Sequence, residues 1–212
     1  VWKPSSKTPL TSIAIQKIVN NVMEPMGWAG VMNLLVGSSR DVGEMLIHDR
    51  RAPLISATGS CGMGRKIGGA VSKRLGRTLL ELGGNNGIIV MPDADADLAL
   101  RAVLFGAVGT SGQRCTTTRR LFLHNSVSED MTDRLVTAYG QVKIGDPLNG
   151  TTLMGPLVDD GAVNDYNEAL KIIEEQGGKI LCGGNVLDGS GSFVEPTIIA
   201  ATPDMEIARE ET

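Results

Sequence analysis

Residues 1–82 alternate between short apolar runs and segments whose apolar residues recur at helical spacing. Strands are predicted at 31–36, 53–56 and 77–82, and the helices predicted between them are 37–48 and 59–74. When strands alternate with helices at this spacing, the strands pair in parallel and the helices cover the faces of the sheet. The sequence therefore predicts an α/β fold for this part of the chain.

A further helix is predicted before the first of these strands. Thr8 is followed by Pro9, and a threonine N-cap with proline at the first helical position is a common helix start. Apolar residues then recur at helical spacing, and we expect them to form one buried face. These residues are Leu10, Ile13, Ala14, Ile18 and Val22.

A second set of predicted elements follows Gly83. We place a domain boundary between Leu82 and Gly83, which gives predicted domains 1–82 and 83–212. The predicted strands of the second domain are 87–91, 120–124, 179–182 and 193–199. Its predicted helices are 93–106, one that Ser126 or Ser128 caps and that runs to Tyr139, and 159–176. The whole chain is therefore assigned to the α/β class.

The composition excludes several functional classes. The 212 residues are 42% hydrophobic and 21% charged, and the net charge is −4 without a block of lysine and arginine. These values fit a folded globular chain and argue against a nucleic-acid surface. No apolar run approaches the length of a membrane span. His48 and His124 are isolated, and Cys61, Cys115 and Cys182 lack metal-like spacing, so no metal is expected. An odd number of cysteines favours reduced thiols in the cytoplasm.

The segment Gly109-Thr-Ser-Gly-Gln-Arg-Cys-Thr116 places Cys115 after a turn of small residues and directly after Arg114. A guanidinium and freely pointing backbone N–H groups favour the thiolate, which is the reactive form of cysteine. Cys115 is therefore a candidate covalent nucleophile, although a cysteine often only fills a core. Cys61 is a rival, because the dipole of the helix predicted to start beside it also favours a thiolate. The residues alone leave both interpretations open.

Glu81 ends the apolar run Thr78-Leu-Leu-Glu-Leu82 and is followed by Gly83 and Gly84. One interpretation is an ordinary solvated glutamate at a strand end. The other is a general base that activates water or a thiol. A nucleophile and a base that are far apart in sequence can still meet in a fold.

Two glycine-containing turns are candidates for binding a nucleotide at the carboxyl edge of a parallel sheet. The turn from Gly37 to Gly43 lacks the dinucleotide-binding pattern and favours a plain turn. The turn Thr58-Gly-Ser-Cys-Gly-Met-Gly64 leads into a predicted helix, whose first N–H groups and dipole can hold a phosphate, and Ser60 adds a hydroxyl. An ordinary capped helix start explains the same residues.

Two segments together resemble the active-site signatures of the aldehyde dehydrogenase superfamily. They are Leu80-Glu-Leu-Gly-Gly-Asn-Asn86 and Gly109 to Thr117, in that family's order and at its separation. Further segments spread over essentially the whole chain also resemble the family: WKPSSKTPLT, ATGSCGMG, MGPL, FVEPTI and EET. The double asparagine and the segment GQRCTTTRRLF are most similar to the antiquitin-like subgroup, which oxidises α-aminoadipic semialdehyde.

The resemblance implies a covalent oxidation of an aldehyde to an acid. Cys115 would attack the aldehyde to form a thiohemiacetal, hydride transfer would leave a thioester, and Glu81 would activate the water that hydrolyses it. Residues 1–82 would be the C-terminal part of a Rossmann-like NAD(P)-binding domain. Residues 83–212 would be the N-terminal part of the catalytic domain.

The resemblance also implies the binding residues. NAD is the expected cofactor, and its expected contacts are Lys3, Ser6, Gly37, Thr58, Gly59, Ser60, Met63, Leu82 and Gly83. Many NAD-using relatives have glutamate where this chain has Ser6, so NADP is also compatible with the site. Either Glu210 or Glu211 would hold the nicotinamide ribose. Arg114 and Thr116 are the expected substrate-binding residues, and Arg114 would either pair with a substrate carboxylate or satisfy backbone carbonyls.

Family members are much longer than this chain, which is therefore expected to be an internal fragment and inactive by itself. In relatives, an asparagine that completes the oxyanion hole precedes the segment that resembles this chain, and Phe-Gly-Pro follows the Glu-Glu-Thr at its end, so both are expected outside residues 1–212. The expected partner is a small-molecule aldehyde, and the parent enzyme is expected to be a homodimer or homotetramer in the cytoplasm. The alternative is a non-catalytic homologue, or a truncated product, that only binds a dinucleotide.

Overall fold

The computed structural model describes residues 1–212, which divide into two compact units, Val1–Leu82 and Gly83–Thr212. The assignment of the first unit to the cofactor and of the second to catalysis stays a prediction. None of the helices is both long enough and apolar enough to cross a membrane.

The first unit contains one pair of parallel strands joined by a helix. Its helices and strands in chain order are α1 Pro9–Met23, α2 Glu44–His48, β1 Leu54–Thr58, α3 Cys61–Lys73 and β2 Arg77–Glu81. β1 and β2 pair in register from Leu54 opposite Arg77 to Thr58 opposite Glu81. Parallel strands need a crossover connection, and α3 provides it. The carboxyl ends of both strands therefore lie at one edge.

The core of the first unit is shared by α2, β1 and α3. Its buried residues are Ile47, Ile55, Ile67 and Val71. Burying a side chain of this kind contributes about 1.5–3 kcal/mol. The Arg74 guanidinium at the end of α3 donates to the carbonyl oxygen of Ile47 at 2.8 Å. This bond satisfies a carbonyl at the end of α2 and fixes the two helices to each other.

The predicted strand at 31–36 is wrong. The segment forms only an isolated parallel bridge between Leu34 and Trp2, with a hydrogen bond from the Leu35 N–H to the Trp2 carbonyl oxygen at 2.9 Å. The next donor along the partner would be Pro4, which has no N–H. The ladder therefore cannot extend past the bridge.

Helix α1 begins at Pro9 with Thr8 as its N-cap residue, as predicted, but its predicted buried face is wrong. Thr8 makes no capping hydrogen bond through its side chain. The buried residue of the helix is Ser12, whose hydroxyl donates to the Thr8 carbonyl oxygen at 2.8 Å. The residues predicted to be buried are all exposed: Leu10, Ile13, Ala14, Ile18 and Val22. Helical spacing identifies an apolar face, but burial also needs a partner, and α1 packs mainly on the short turn that follows it.

The second unit contains a parallel pair and an antiparallel pair of strands. Its helices and strands in chain order are β3 Asn86–Val90, α4 Ala96–Val108, β4 Thr118–Leu123, α5 Asn125–Tyr139, α6 Asp160–Glu175, β5 Lys179–Cys182 and β6 Ile198–Ala200. β3 and β4 are parallel and joined through α4, whereas β5 and β6 are antiparallel. Buried Val90, Val103, Met131 and Leu135 pack β3, α4 and α5 together. This packing fixes the direction in which the chain leaves α4.

The N-termini of α4 and α5 in the second unit are capped by different side chains. The Asp95 carboxylate accepts two backbone N–H groups at the start of α4. The predicted caps of α5, Ser126 and Ser128, are wrong. α5 begins at Asn125, so the N-cap position falls on His124, whose ring Nδ1 accepts from the Ser126 N–H at 3.2 Å. A ring nitrogen takes the place of the usual hydroxyl or carboxylate oxygen.

The last predicted strand, 193–199, is broken. The ladder contains only β6, and Val194 forms a separate antiparallel bridge with Val186. Pro196 lies between the two pairings and has no N–H to donate, so they remain apart.

Candidate active site

Cys115 lies in the segment between α4 and β4, residues 109–117, which we call the cysteine turn. Thr110 and Ser111 have left-handed backbone angles, with φ of 56° and 55°, and Gly112 follows at 70°. This conformation is costly for a β-branched residue, so the surroundings must hold it. The Ser111 hydroxyl supplies one such contact, because it donates to the Gly155 carbonyl oxygen at 2.7 Å.

Asn86 anchors the backbone around the thiol. Its amide Nδ2 donates to the carbonyl oxygen of Cys115 at 2.6 Å and to that of Thr117 at 3.0 Å. Thr117 is buried, and its hydroxyl accepts the Arg114 N–H at 3.1 Å. Cys115 itself is exposed and free. The structure thus fixes the peptide and leaves the thiol accessible. Sequence analysis missed Asn86 as a site residue, although the double asparagine was the available signal.

Arg114 turns toward α4. Its guanidinium donates to the Phe105 carbonyl oxygen at 3.2 Å and lies over the Phe105 ring, 5.2 Å from the centroid. Its Nε is buried and has no hydrogen-bond partner. These contacts fit the structural alternative for Arg114, and its role in substrate binding stays a prediction. Thr116, the other expected substrate residue, is exposed.

Arg119 joins three segments of the second unit. It donates to the carbonyl oxygens of Gly84 at 3.0 Å and Gly112 at 3.1 Å. Its third donor contacts Glu211 Oε1 at 2.9 Å. The Glu211 carboxylate lies where a Cβ of Gly83 would be, so only glycine fits at position 83 without displacing it. Nothing in the sequence pattern indicated this arginine.

Glu81 lies at the carboxyl edge of the parallel pair in the first unit. It is the last residue of β2 and stands opposite Thr58, the last residue of β1. Its carbonyl oxygen accepts the Gly59 N–H at 3.0 Å, which joins the strand end to the glycine turn. The Glu81 side chain is exposed. The expected base is therefore accessible at the edge where parallel sheets bind ligands.

The turn after β1 leads directly into the N-terminus of α3, which is the arrangement of an anion-binding turn. Ser60 is the N-cap, and its hydroxyl accepts the Met63 N–H at 3.2 Å. The N–H groups of Cys61 and Gly62 have no acceptor within the helix. A Cβ on Gly59 would overlap the Met63 side chain, so the turn needs glycine there. The first unit thus brings together the expected cofactor residues Thr58, Gly59, Ser60 and Met63.

The remaining expected cofactor residues are less closely grouped. Leu82 packs over Gly64, where a Cβ would meet the leucine side chain. The Lys3 ammonium donates to the Pro4 carbonyl oxygen at 2.6 Å. Gly37 lies against the Val42 side chain, and Ser6 is exposed. Their contacts to a cofactor stay predictions.

The three free cysteines differ in environment. Cys115 is exposed, whereas Cys61 and Cys182 are partly buried. Burial raises the pKa of the Cys182 thiol, and the Glu195 carboxylate adds to the effect. Cys182 is therefore the least suited of the three to act as a nucleophile at neutral pH. No group of three or more His, Cys, Asp or Glu side chains could hold a metal ion.

The sequence matches a protein-family model along its whole length. The model is that of the aldehyde dehydrogenase family, and the match covers residues 1–212. Aldehyde dehydrogenase family 7 member A1 of Brassica napus is 48% identical over 211 residues, which are 100% of this chain and 43% of that protein. Alpha-aminoadipic semialdehyde dehydrogenase of Mus musculus is 43% identical over 213 residues, which are 100% of this chain and 40% of that protein. The chain spans about two fifths of these relatives.

Solved structures give the same match at the level of the fold. Betaine aldehyde dehydrogenase from Staphylococcus aureus, in complex with NAD+, superposes with a TM-score of 0.93 at 31% identity. HpcC from Thermus thermophilus superposes with a TM-score of 0.93 at 28% identity. Each match covers 99% of this chain and 42% of the other.

Proposed function

The chain belongs to the aldehyde dehydrogenase family, and we propose that the full-length protein oxidises an aldehyde to a carboxylic acid through a covalent cysteine intermediate. The family match and the superposed structures confirm the resemblance and the α/β class predicted from the sequence. One observation carries the proposal: the exposed Cys115 thiol sits on a turn whose carbonyls are held by Asn86.

NAD is the proposed cofactor, and the first unit has groups that fit its pyrophosphate. The open N–H groups at the start of α3 can donate to phosphate oxygens, and no carboxylate occurs between Thr58 and Gly64 to repel them. Ser6 places no negative charge against a 2′-phosphate, so the proposal includes NADP as an alternative. The Staphylococcus aureus relative was solved with NAD+ bound.

Cys115 supplies the covalent step. Its thiolate sulfur forms a bond to the aldehyde carbon, and the carbonyl oxygen becomes an oxyanion beside the Cys115 N–H. The peptide that carries this N–H is held in place by the fixed turn, so the donor needs little reorganisation. Losing one such donor costs roughly 10²–10³ in rate. A bound nicotinamide supplies the acceptor for the hydride that leaves the aldehyde carbon.

Glu81 completes the reaction by hydrolysis. Its carboxylate takes a proton from water, and the hydroxide oxygen forms a bond to the thioester carbon. The carbon–sulfur bond then breaks, which releases the carboxylic acid and the Cys115 thiolate, and Glu81 gives its proton to solvent. Splitting the oxidation into a sulfur addition and a thioester hydrolysis replaces one difficult step by two easier ones.

The proposed substrate is a semialdehyde such as α-aminoadipic semialdehyde. The mouse and rat relatives that carry this substrate in their names are each 43% identical to the chain. Arg114 and Thr116 are the proposed substrate contacts. The Arg114 guanidinium gives one of its five N–H donors to the Phe105 carbonyl oxygen, so donors remain for a substrate carboxylate.

The proposal also covers the setting of the enzyme. The full-length protein is a homodimer or homotetramer in the cytoplasm, and residues 1–82 and 83–212 belong to its cofactor and catalytic domains. The three free cysteines are consistent with a reducing compartment.

Replacing the two rival cysteines in the full-length protein tests the function. NADH formation is followed by absorbance with α-aminoadipic semialdehyde and NAD+. We expect Cys115→Ala to abolish turnover and Cys61→Ala to retain most of it. The reverse pattern would contradict the assignment of the nucleophile. A wild-type protein that binds NAD+ and oxidises no aldehyde would support the non-catalytic alternative.

A further inference from the structure

We infer that Arg119 is a positioning residue that holds the Glu211 carboxylate where it can receive the ribose hydroxyls of a nicotinamide cofactor. The inference rests on the proposed function and on the family resemblance, which implies that Glu210 or Glu211 binds that ribose. Both residues lie in the second unit, 92 positions apart in sequence.

The Arg119 guanidinium is fixed on all sides. Its three nitrogens donate to three different segments: to the Gly84 carbonyl oxygen, to the Gly112 carbonyl oxygen and to Glu211 Oε1. The Arg119 side chain is only 14% exposed, so solvent screens the ion pair less than it would on an open surface. Three hydrogen bonds from three different nitrogens hold the planar guanidinium in one orientation, and this orientation sets the position of the carboxylate.

Gly83 provides the opposite wall. The Glu211 carboxylate lies where a Cβ at position 83 would be, so the carboxylate is confined between a guanidinium and a glycine backbone. An ionised carboxylate has about four acceptor positions, and Arg119 is its one hydrogen-bond donor in the structure. The acceptor positions that remain suit two neighbouring hydroxyl groups. The neighbouring Glu210 has no such anchor, so of the two glutamates that the resemblance offers for the ribose, Glu211 is the one that Arg119 holds.

The same guanidinium also contacts the cysteine turn. Gly112 belongs to that turn, and Gly84 lies two residues before Asn86, whose amide donates to the Cys115 carbonyl oxygen. Arg119 thus contacts both the Glu211 carboxylate and the cysteine turn, and it holds the two in place through one guanidinium. A displaced guanidinium would move Glu211 first, because the carboxylate has no other donor.

A double-mutant cycle in the full-length protein tests the inference, with the dissociation constant for NAD+ measured by titration calorimetry. We expect Arg119→Gln to weaken NAD+ binding about 10-fold, the size of one hydrogen bond to a charged group, and Glu211→Gln to do the same. The double variant should bind NAD+ no more than about twofold more weakly than either single variant, because one residue acts through the other. Arg120→Gln is the matched control, since Arg120 donates to the Asn85 carbonyl oxygen at 3.0 Å and contacts no carboxylate. It should stay within about twofold of the wild type.

Arg119→Lys keeps the positive charge but lacks the planar guanidinium that donates to three segments. It is the variant to use for testing the inference if Arg119→Gln does not fold. We expect it to weaken NAD+ binding about threefold, and Glu211→Gln in this background should add less than it does alone. If the fold-losses in NAD+ affinity of the two single variants multiply in the double variant, the two residues act independently, and this result would overturn the inference. A wild type that oxidises aldehyde, with Arg119 variants of wild-type affinity, would overturn the inference alone. A wild type that binds neither NAD+ nor NADP+ would overturn the proposed function as well.

Discussion

The Asn86 side-chain amide donates to the Cys115 carbonyl oxygen at 2.6 Å, across 29 positions of sequence. The same amide reaches the Thr117 carbonyl oxygen at 3.0 Å. One side chain at the start of β3 therefore fixes the backbone on which the thiol is carried. The contact links the two motifs of the family resemblance through a hydrogen bond rather than through the residues that react.

Replacing Asn86 by aspartate should lower turnover strongly. The substitution keeps the size of the side chain but replaces the donating amide nitrogen by a carboxylate oxygen. This oxygen repels the carbonyl oxygens of Cys115 and Thr117, so the cysteine turn must shift. Since misplacing a reacting group by about 1 Å can cost about 10²-fold in rate, we expect a loss of that order in kcat, with the KM for NAD+ little changed. Steady-state kinetics of the full-length protein measure both constants.

Asn85→Asp is the control for this experiment. Asn85 is the adjacent residue, and its amide donates to the Ala208 carbonyl oxygen at 3.0 Å rather than to the cysteine turn. We expect its kcat to stay within about threefold of the wild type. Equal losses in both variants would show that the effect is not specific to the Cys115 backbone.

Thiol chemistry should rank the cysteines in the order of their exposure. Because burial raises the pKa of the Cys182 thiol, little of it is thiolate at neutral pH, and iodoacetamide reacts with the thiolate. We expect Cys115 to be alkylated at least about 10-fold faster than Cys182, as measured by peptide mass spectrometry over time. In urea the difference should disappear. Equal rates in the folded protein would contradict the described environments.

Local signals in the sequence predicted the elements that carry the site. The order of β1, α3 and β2 follows from apolar runs and from Ser60, whose hydroxyl caps α3. These features depend on neighbours within a few residues. The strand–helix–strand order adds the expectation of a parallel pair, and this pairing places the glycine turn beside the strand end that bears Glu81.

Features that depend on distant partners could not be predicted in this way. The Arg119–Glu211 ion pair joins residues 92 positions apart, and no spacing rule connects them. The strand expected at 31–36 failed because its partner carries Pro4, and periodicity contains no information about a partner's donors. The apolar face of α1 failed for the related reason that a pattern does not state what covers it.

Alkaline pH should destabilise the fold through Tyr139. Burial raises the pKa of Tyr139 to about 12 from an ordinary value near 10, and the Cys182 thiolate adds to the shift. The folded state thus binds the phenol proton more tightly than the unfolded state. This contribution is fully present below pH 10 and is lost as the pH rises toward 12.

Comparison with Tyr139→Phe isolates this effect. We expect the wild type to lose up to about 3 kcal/mol of unfolding free energy between pH 10 and pH 12 that the variant does not lose, since one pKa unit corresponds to about 1.4 kcal/mol. Urea unfolding at a series of pH values measures the difference. Parallel pH profiles for the two proteins would contradict the assignment.

The central claim is that Cys115 forms the thioester and Glu81 releases it. The most direct measurement is a rapid-mixing experiment on full-length Glu81→Gln with aldehyde and NAD+, combined with the intact mass of the protein. The account predicts a burst of about one NADH per active site, then a stall, with an acyl group on Cys115. Continued turnover at the wild-type rate, or an acyl group on another cysteine, would contradict it.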